Sequence, residues 1–211
     1  MTLAPEGKKI YLSAFILTVL LTVLGWWLNM EIFKMLVLPS FLFLLMCFVF
    51  FRDPVRKIPE GENLILSPAD GKIVFSGETE IGGEKVKLVS IFLSLFNVHV
   101  NRVPVDGKVS DIKYHRGKFH AAFKKNISEI NERTEINIIH GEKSVKVKQI
   151  AGILARRIIC HLKKEDTINK GDRLGFILFG SRTDLILPVE SLLHVKVGDR
   201  VKATETIIGK L

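Results

Sequence analysis

Two charge-free apolar runs near the N-terminus constrain the fold more than any other feature of this chain. Residues 10–28 and 35–51 carry no Asp, Glu, Lys or Arg, although 25% of the 211 residues are charged. Each run approaches the roughly 20 apolar residues that cross a hydrocarbon core. Trp26 and Trp27 sit near one end of the first as interfacial anchors. The polar link 29–34 then predicts a helical membrane hairpin within residues 1–58. Lys8 and Lys9 precede it, Arg52, Arg56 and Lys57 follow it, and the link holds Lys34 alone. The positive-inside rule therefore places both ends, and the domain that follows, on the cytoplasmic side of the inner membrane. Pro39 and the shortness of the second run keep a re-entrant hairpin beside a full crossing. No small-x-small cleavage site follows the first run, so the segment reads as an anchor and not as a signal peptide.

The formal net charge of +9 has two physical uses, nucleic acid or an anionic bilayer. Nucleic-acid readers interleave basic residues with exposed aromatics or carry a recognisable module, and neither pattern occurs. The apolar runs make the bilayer surface the nearer partner. Cys47 lies in an apolar run and Cys160 in a strand-like one, which indicates buried thiols and a reducing compartment instead of a disulfide framework. No metal-ligand spacing, phosphate-loop glycine pattern or Gly-x-Ser-x-Gly elbow is present.

From residue 59 to 211 the pattern changes to short period-two or β-branched runs punctuated by Gly, Asp and Pro. The fold class expected is mostly β (α+β), a small β-barrel or sandwich-hybrid domain after the helical anchor. Strands are predicted at 71–76, 85–92, 145–150, 153–162, 173–179, 184–188 and 206–211. Lys170-Gly-Asp-Arg-Leu and Val197-Gly-Asp-Arg-Val both place a Gly-Asp turn before an apolar strand, an echo found in barrels that carry lipoyl or biotinyl groups. Residues 119–135 read as a polar loop ending in a helix. That segment is either a solvated connector or a lid, in which Phe119, Phe123, Lys124 and Lys125 would meet the bilayer.

A Gly-Ser pair, Gly180-Ser181, stands between two apolar strands; alone it is an ordinary turn. Its company changes that reading. Phe51-Arg-Asp-Pro54, Ser67-Pro-Ala-Asp-Gly71, Asn97-Val-His-Val-Asn-Arg-Val-Pro104, Tyr114-His-Arg-Gly-Lys-Phe119, Asn131-Glu-Arg133 and Phe179-Gly-Ser-Arg-Thr-Asp184 occur in this order. Together they resemble the short-form phosphatidylserine decarboxylase proenzymes, including the related archaetidylserine enzymes, over about residues 50–211. The resemblance implies self-cleavage between Gly180 and Ser181 into fragments 1–180 and 181–211 that stay associated, with Ser181 becoming a covalent pyruvoyl cofactor. It further implies that Asp70 assists cleavage and that His99 lines the active site. The pyruvoyl would form a Schiff base with the amine of phosphatidylserine, release CO2 and yield phosphatidylethanolamine, with no metal. A homodimer is compatible with the resemblance.

The residue types suit this chemistry. A Ser hydroxyl needs a neighbouring base before it can attack the Gly180 carbonyl, and glycine tolerates the strained backbone that this attack requires. Long-form members resemble His-x-x-His-x-Pro at residues 99–104, whereas this chain has Arg102 at the second His. The base for cleavage is therefore open between His99 and His115. Arg182 and Asn97 are candidate substrate-binding residues, Arg182 for a phosphate or carboxylate. The rival classes are the same chemistry on archaetidylserine or another amino-acid-headed lipid, and a non-catalytic membrane-anchored β-barrel carrier or scaffold. A carrier would present a Met-Lys dipeptide at a hairpin tip, and the chain has none.

Overall fold

The computed structural model describes residues 2–120, 127–152, 157–178 and 180–211. Phe123, Lys124, Lys125, Phe179 and the start of the strand expected at 153–162 lie outside the described residues. The chain divides into two compact units, Met1–Val55 and Arg56–Leu211.

The first unit is the hairpin. Strands β1 (Thr2–Leu3) and β2 (Arg52–Asp53) pair antiparallel and tie its two ends together, with Thr2 Oγ1 donating to the Asp53 carbonyl at 2.9 Å. Helices α1 (Lys8–Trp27) and α2 (Glu31–Phe50) lie between them. Each has 20 residues, or about 30 Å at 1.5 Å per residue, long and apolar enough to cross a hydrocarbon core. Helix α2 begins four residues earlier than the apolar run predicts. Lys34 explains this, because inside the first turn its Nζ bonds Glu31 at 2.8 Å and Asn29 at 2.7 Å, so both charges fit in the helix. Tyr11 packs on Phe48 and Phe51, whereas most of the large side chains of both helices are exposed. An outer surface so apolar needs a lipid-like environment, which suggests membrane association.

The second unit is mostly β. Its strands are β3 (Leu64–Leu66), β4 (Gly71–Ile81), β5 (Glu84–Leu93), β6 (Val100–Arg102), β7 (Gly107–His115), β8 (Arg133–His140), β9 (Lys143–Ala151) and β10 (Ile158–Cys160). They continue with β11 (Thr167–Ile168), β12 (Arg173–Ile177), β13 (Ser181–Pro188), β14 (Leu192–Leu193), β15 (Arg200–Val201) and β16 (Ile207–Lys210). An antiparallel eight-stranded sheet runs β11-β7-β8-β9-β13-β5-β4-β15, and two three-stranded sheets run β10-β12-β6 and β14-β16-β3. One core unites the three: Val89, Ile136, Val147 and Leu185 from the large sheet pack with Leu174 and Ile208 from the small ones. This is the sandwich-like, mostly β domain expected from the sequence.

Two expectations need correction. Residues 133–135 open strand β8 instead of ending a helix, and the described helical structure between 119 and 135 is the 3-10 turn Ile127–Glu129. The strand expected to begin at 184 begins at Ser181, because its neighbours β5 and β9 both extend far enough to pair with it.

Candidate active site

Strand β13 lies in the interior of the large sheet, and its first residue is Ser181, in register with Leu93 on β5 and Ala151 on β9. Gly180, just before it, has φ +59°, in the left-handed region. A Cβ there would meet nothing within 4 Å, so glycine is required by the backbone conformation and not by space. The chain therefore turns sharply and enters the strand at the serine.

Side chains alternate across a strand, so Ser181, Thr183, Leu185 and Leu187 face the core while Arg182 and Asp184 face the other way. The core-facing end is polar. Ser181 is fully buried, and its Oγ has no hydrogen-bond partner among the described residues. Thr183 Oγ1, Gln149 Oε1 and Asn101 Nδ2 are buried in the same condition, although Gln149 Nε2 donates to Asn101 Oδ1 at 2.8 Å. Each such orphan costs about 1–3 kcal/mol, so a cluster of four marks a place where a reacting group or ligand is to be met.

His99 immediately precedes β6 and is fully buried, with its carbonyl accepting from Ile177 N at 3.4 Å. Its Nδ1 lies 2.9 Å from the Asn97 carbonyl. A carbonyl only accepts, so Nδ1 carries a proton, and when the ring is neutral the lone pair is on Nε2. Asn101 reaches Gln149 on the large sheet, and alternation puts the His99 side chain on the same side of its strand. His99 is thus aimed at the layer that holds Ser181.

His115 is placed differently. It pairs with Arg133, Arg133 with Ile150, and Ile150 with Arg182, so these four share one cross-strand row on the face opposite Ser181. Three strand spacings separate β7 from β13, about 14 Å. The His115 side chain is 37% exposed and lies 3.8 Å from Glu135. Arg182, in the same row, is buried with its guanidinium bonded to Asp184 at 2.6 and 3.1 Å and to Ser90 Oγ at 2.7 Å. It already has a carboxylate, and its own β13 neighbour supplies it.

Asp70 sits just before β4, two strands from β13. Its Oδ2 accepts from Arg56 at 2.8 Å and its Oδ1 from Ala203 N at 2.8 Å. Asn97 closes the turn after β5 through its Oδ1, which accepts from Ser94 N at 2.9 Å and Ser94 Oγ at 2.7 Å. Asn131, fully buried, donates to the His120 carbonyl and to the Ala151 carbonyl, 2.7 Å away. It thereby ties His120 to Ala151, the strand residue that pairs with Ser181.

Residues 43–209 match the model of the phosphatidylserine decarboxylase family. The chain belongs to this family. It is 44% identical over 211 residues to the phosphatidylserine decarboxylase proenzyme of Syntrophus aciditrophicus, covering 98% of this chain and 96% of that one. The corresponding proenzyme of Carboxydothermus hydrogenoformans is 45% identical over 211 residues, covering 98% and 95%. That of Desulfotalea psychrophila is 46% identical over 180 residues, 82% of this chain and 84% of its own.

Family membership makes the chain a carboxy-lyase, and the geometry separates its candidate residues into two groups. Gly180 and Ser181 open β13 with the Ser181 side chain toward the core, and His99 is buried beside β6, packed on Phe176, while His115 and Arg182 lie on the face of the large sheet opposite Ser181. Sequence reasoning missed Thr183, Gln149 and Arg56 as participants. Thr183 was within reach of the motif that contains Ser181, but Gln149 and Arg56 come from distant parts of the chain: strand register places Gln149 opposite Thr183, and Arg56, outside any strand, reaches Asp70 through its side chain. Among the described residues no group of His, Cys, Asp and Glu is arranged to hold a metal ion.

Proposed function

We propose that the chain is a self-processing precursor of a pyruvoyl-dependent enzyme that converts phosphatidylserine to phosphatidylethanolamine and CO2. The observation that carries this reading is Ser181 Oγ, buried without a partner directly after a left-handed Gly180 and below the layer that presents His99. A serine of purely structural use would satisfy its hydroxyl.

In the proposed maturation, His99 Nε2 takes the Ser181 proton as Oγ attacks the Gly180 carbonyl. The Gly180–Ser181 amide bond breaks and an ester to Oγ forms, so the chain shifts from N to O. Loss of the Ser181 α-proton with expulsion of the Gly180 carboxylate leaves dehydroalanine at 181. Hydrolysis of that group releases ammonia and gives the ketone. A pyruvoyl group at 181 supplies a carbonyl that engages the substrate amine and takes up the electron pair left by CO2. Asn101, Gln149 and Thr183 orient the headgroup through the donors and acceptors that are otherwise unmatched, and His99 returns a proton to the carbon that lost CO2. Asp70, held in an ion pair by Arg56, fixes the wall beside the Asn97 turn. The Asn97 turn fixes the carbonyl that sets the His99 tautomer, and Arg182 anchors β13 behind the reacting residue.

The two fragments would remain together after cleavage, because residues 181–188 hydrogen-bond to β5 on one side and β9 on the other. The distribution of Lys and Arg around the hairpin supports a cytoplasmic catalytic unit.

Gel electrophoresis and intact-mass measurement of the purified full chain test the maturation. A fragment ending at Gly180 and a 31-residue fragment with a blocked N-terminus are expected. Ser181→Ala is expected to give one uncut chain with no CO2 release. A cut that persists in that variant would remove Ser181 from its role. CO2 release measured in parallel from phosphatidylserine and from archaetidylserine assigns the lipid.

A further inference from the structure

A second group of unmatched charges lies at the opposite edge of the large sheet. Arg200 on β15 is in direct register with Lys72 on β4, so the two cations project from the same face of adjacent strands. Lys202 follows two residues later on that face. Like charges directly opposite one another destabilise a sheet, and neither Lys72 nor Arg200 has an acidic partner among the described residues. Asp70, which stands opposite Lys202, is neutralised by Arg56. Among the described residues the Lys202 ammonium has one acidic contact, an exposed one with Glu205 at 3.5 Å.

These three cations border a cleft of about 520 Å³ whose other walls include Ser94, Phe96 and Asn97. That volume lies within the ordinary range for a site that takes a small molecule or headgroup. At the 94–97 turn Leu95 is 42% and Phe96 78% exposed, so apolar surface stands next to the cationic rim. A soluble anion has no use for that surface, whereas a phospholipid presents a phosphodiester and hydrocarbon side by side. Phe92 and Ser94, both on the cleft wall, flank Leu93, the register partner of Ser181. Lys72, Phe92 and Arg182 form one cross-strand row, so the cleft opens on the face of the sheet opposite Ser181, at the same end of the sheet, where Leu93 pairs with Ser181 and the Asn97 carbonyl holds His99.

We infer that this cleft is a phosphodiester subsite for a phospholipid, with Lys72, Arg200 and Lys202 binding the phosphate and the Leu95–Phe96 turn meeting the adjoining apolar part. The identity of the lipid as substrate rests on the decarboxylase reading, but the anion subsite does not. A phosphate bound there would relieve the Lys72–Arg200 repulsion.

The test uses the full chain in neutral detergent micelles and the double variant Lys72→Gln/Arg200→Gln. In the Ser181→Ala background, which requires neither processing nor catalysis, binding of a fluorescent phosphatidylglycerol should weaken at least about tenfold on removing the two charges. Equal affinity would overturn the subsite. Inorganic phosphate at millimolar concentration should fail to displace the lipid; ready displacement would assign the cleft to a free anion and overturn the lipid assignment. In the Ser181 background, KM for phosphatidylserine should rise about tenfold and more than kcat falls. Absence of CO2 release from wild type would sink the decarboxylase reading while the phosphatidylglycerol arm still decides the cleft. Thermal unfolding separates recognition from fold damage: losing the like-charge pair should leave the midpoint equal or higher, and a marked fall would make the two residues structural and overturn the proposal.

Discussion

The two faces of β13 treat polar groups in opposite ways. Toward the core, Ser181 and Thr183 present buried hydroxyls that find no partner among the described residues, beside a half-used Gln149 and Asn101. On the far face, Arg182 and Asp184 pair with each other and extend through Ser90 and Ser128. Lys148, in register with Asp184, continues the charges to Glu129 at 2.8 Å and Glu135 at 3.2 Å, and Arg133 bonds Glu135 at 2.8 Å. One strand thus carries a satisfied ionic brace behind an unsatisfied polar pocket. The arrangement follows from what each face must do. Strain and unmet hydrogen bonds at a reacting residue persist only where surrounding structure holds them, and the brace supplies that hold.

The largest effect should come from breaking the brace. Asp184→Ala leaves the Arg182 guanidinium, 9% exposed, without its carboxylate, and is expected to cost about 3–5 kcal/mol in denaturant unfolding. Replacing both residues, Arg182→Met with Asp184→Leu, should recover most of that loss, since an apolar pair of similar volume avoids both desolvation costs. A loss below about 1 kcal/mol for Asp184→Ala would mean that the far face is no brace and that the two faces do not differ.

The core-facing side should respond in the reverse sense. Thr183→Val removes a hydroxyl that has no partner and keeps the shape, so stability should stay level or rise by up to about 1 kcal/mol. Processing and decarboxylation should fall, and Thr183→Ser should restore part of both. A stability loss of about 1 kcal/mol or more in the valine variant would show the hydroxyl to be satisfied in the resting protein, which ends the contrast.

The same contrast governs what the sequence discloses. Gly180-Ser181 and His99, the residues of the proposed maturation, stood out in the sequence because they lie in short motifs of fixed residue type. The apolar hairpin was legible because lipid-facing helices are hydrophobic all round. Strand β8 was not, because its outward residues Arg133 and Glu135 belong to the ion-paired face, and closely spaced charges of both signs imitate a solvated helix. The turns teach a related lesson. The echoed Gly-Asp turns at 171–172 and 198–199 each have Asp Oδ2 accepting from the backbone three residues earlier, at 2.8 and 2.9 Å. A third copy at Lys163–Asp166 makes the same bond at 2.7 Å, with Glu165 at φ +73° where the others have glycine. A residue that rarely adopts that conformation hid the repeat. Gln149 was invisible for a simpler reason: register across the sheet sets it opposite Thr183, and no local pattern encodes register.

Acid should divide the two faces by a smaller amount. Burial alone would raise the Glu135 pKa, but hydrogen bonds and charge from Arg133 and Lys148 outweigh it and hold the carboxyl below its ordinary value of 4.5. For Glu129 the Lys148 bond leads and the shift is again downward, although that carboxylate is mostly exposed and solvent weakens its share. A carboxyl with a depressed folded pKa contributes stability in full above its unfolded value and loses it as pH falls through the folded one. The brace should therefore hold constant from pH 7 to about 5 and weaken progressively below about 4.5. Urea unfolding across this window should show Glu135→Gln less stable than wild type at pH 7, with the two curves converging toward pH 3. Thr183→Val should run parallel to wild type throughout, because the core-facing groups near it carry no carboxylate. Parallel curves for Glu135→Gln as well would place the acid sensitivity elsewhere in the molecule and remove the far face's electrostatic role.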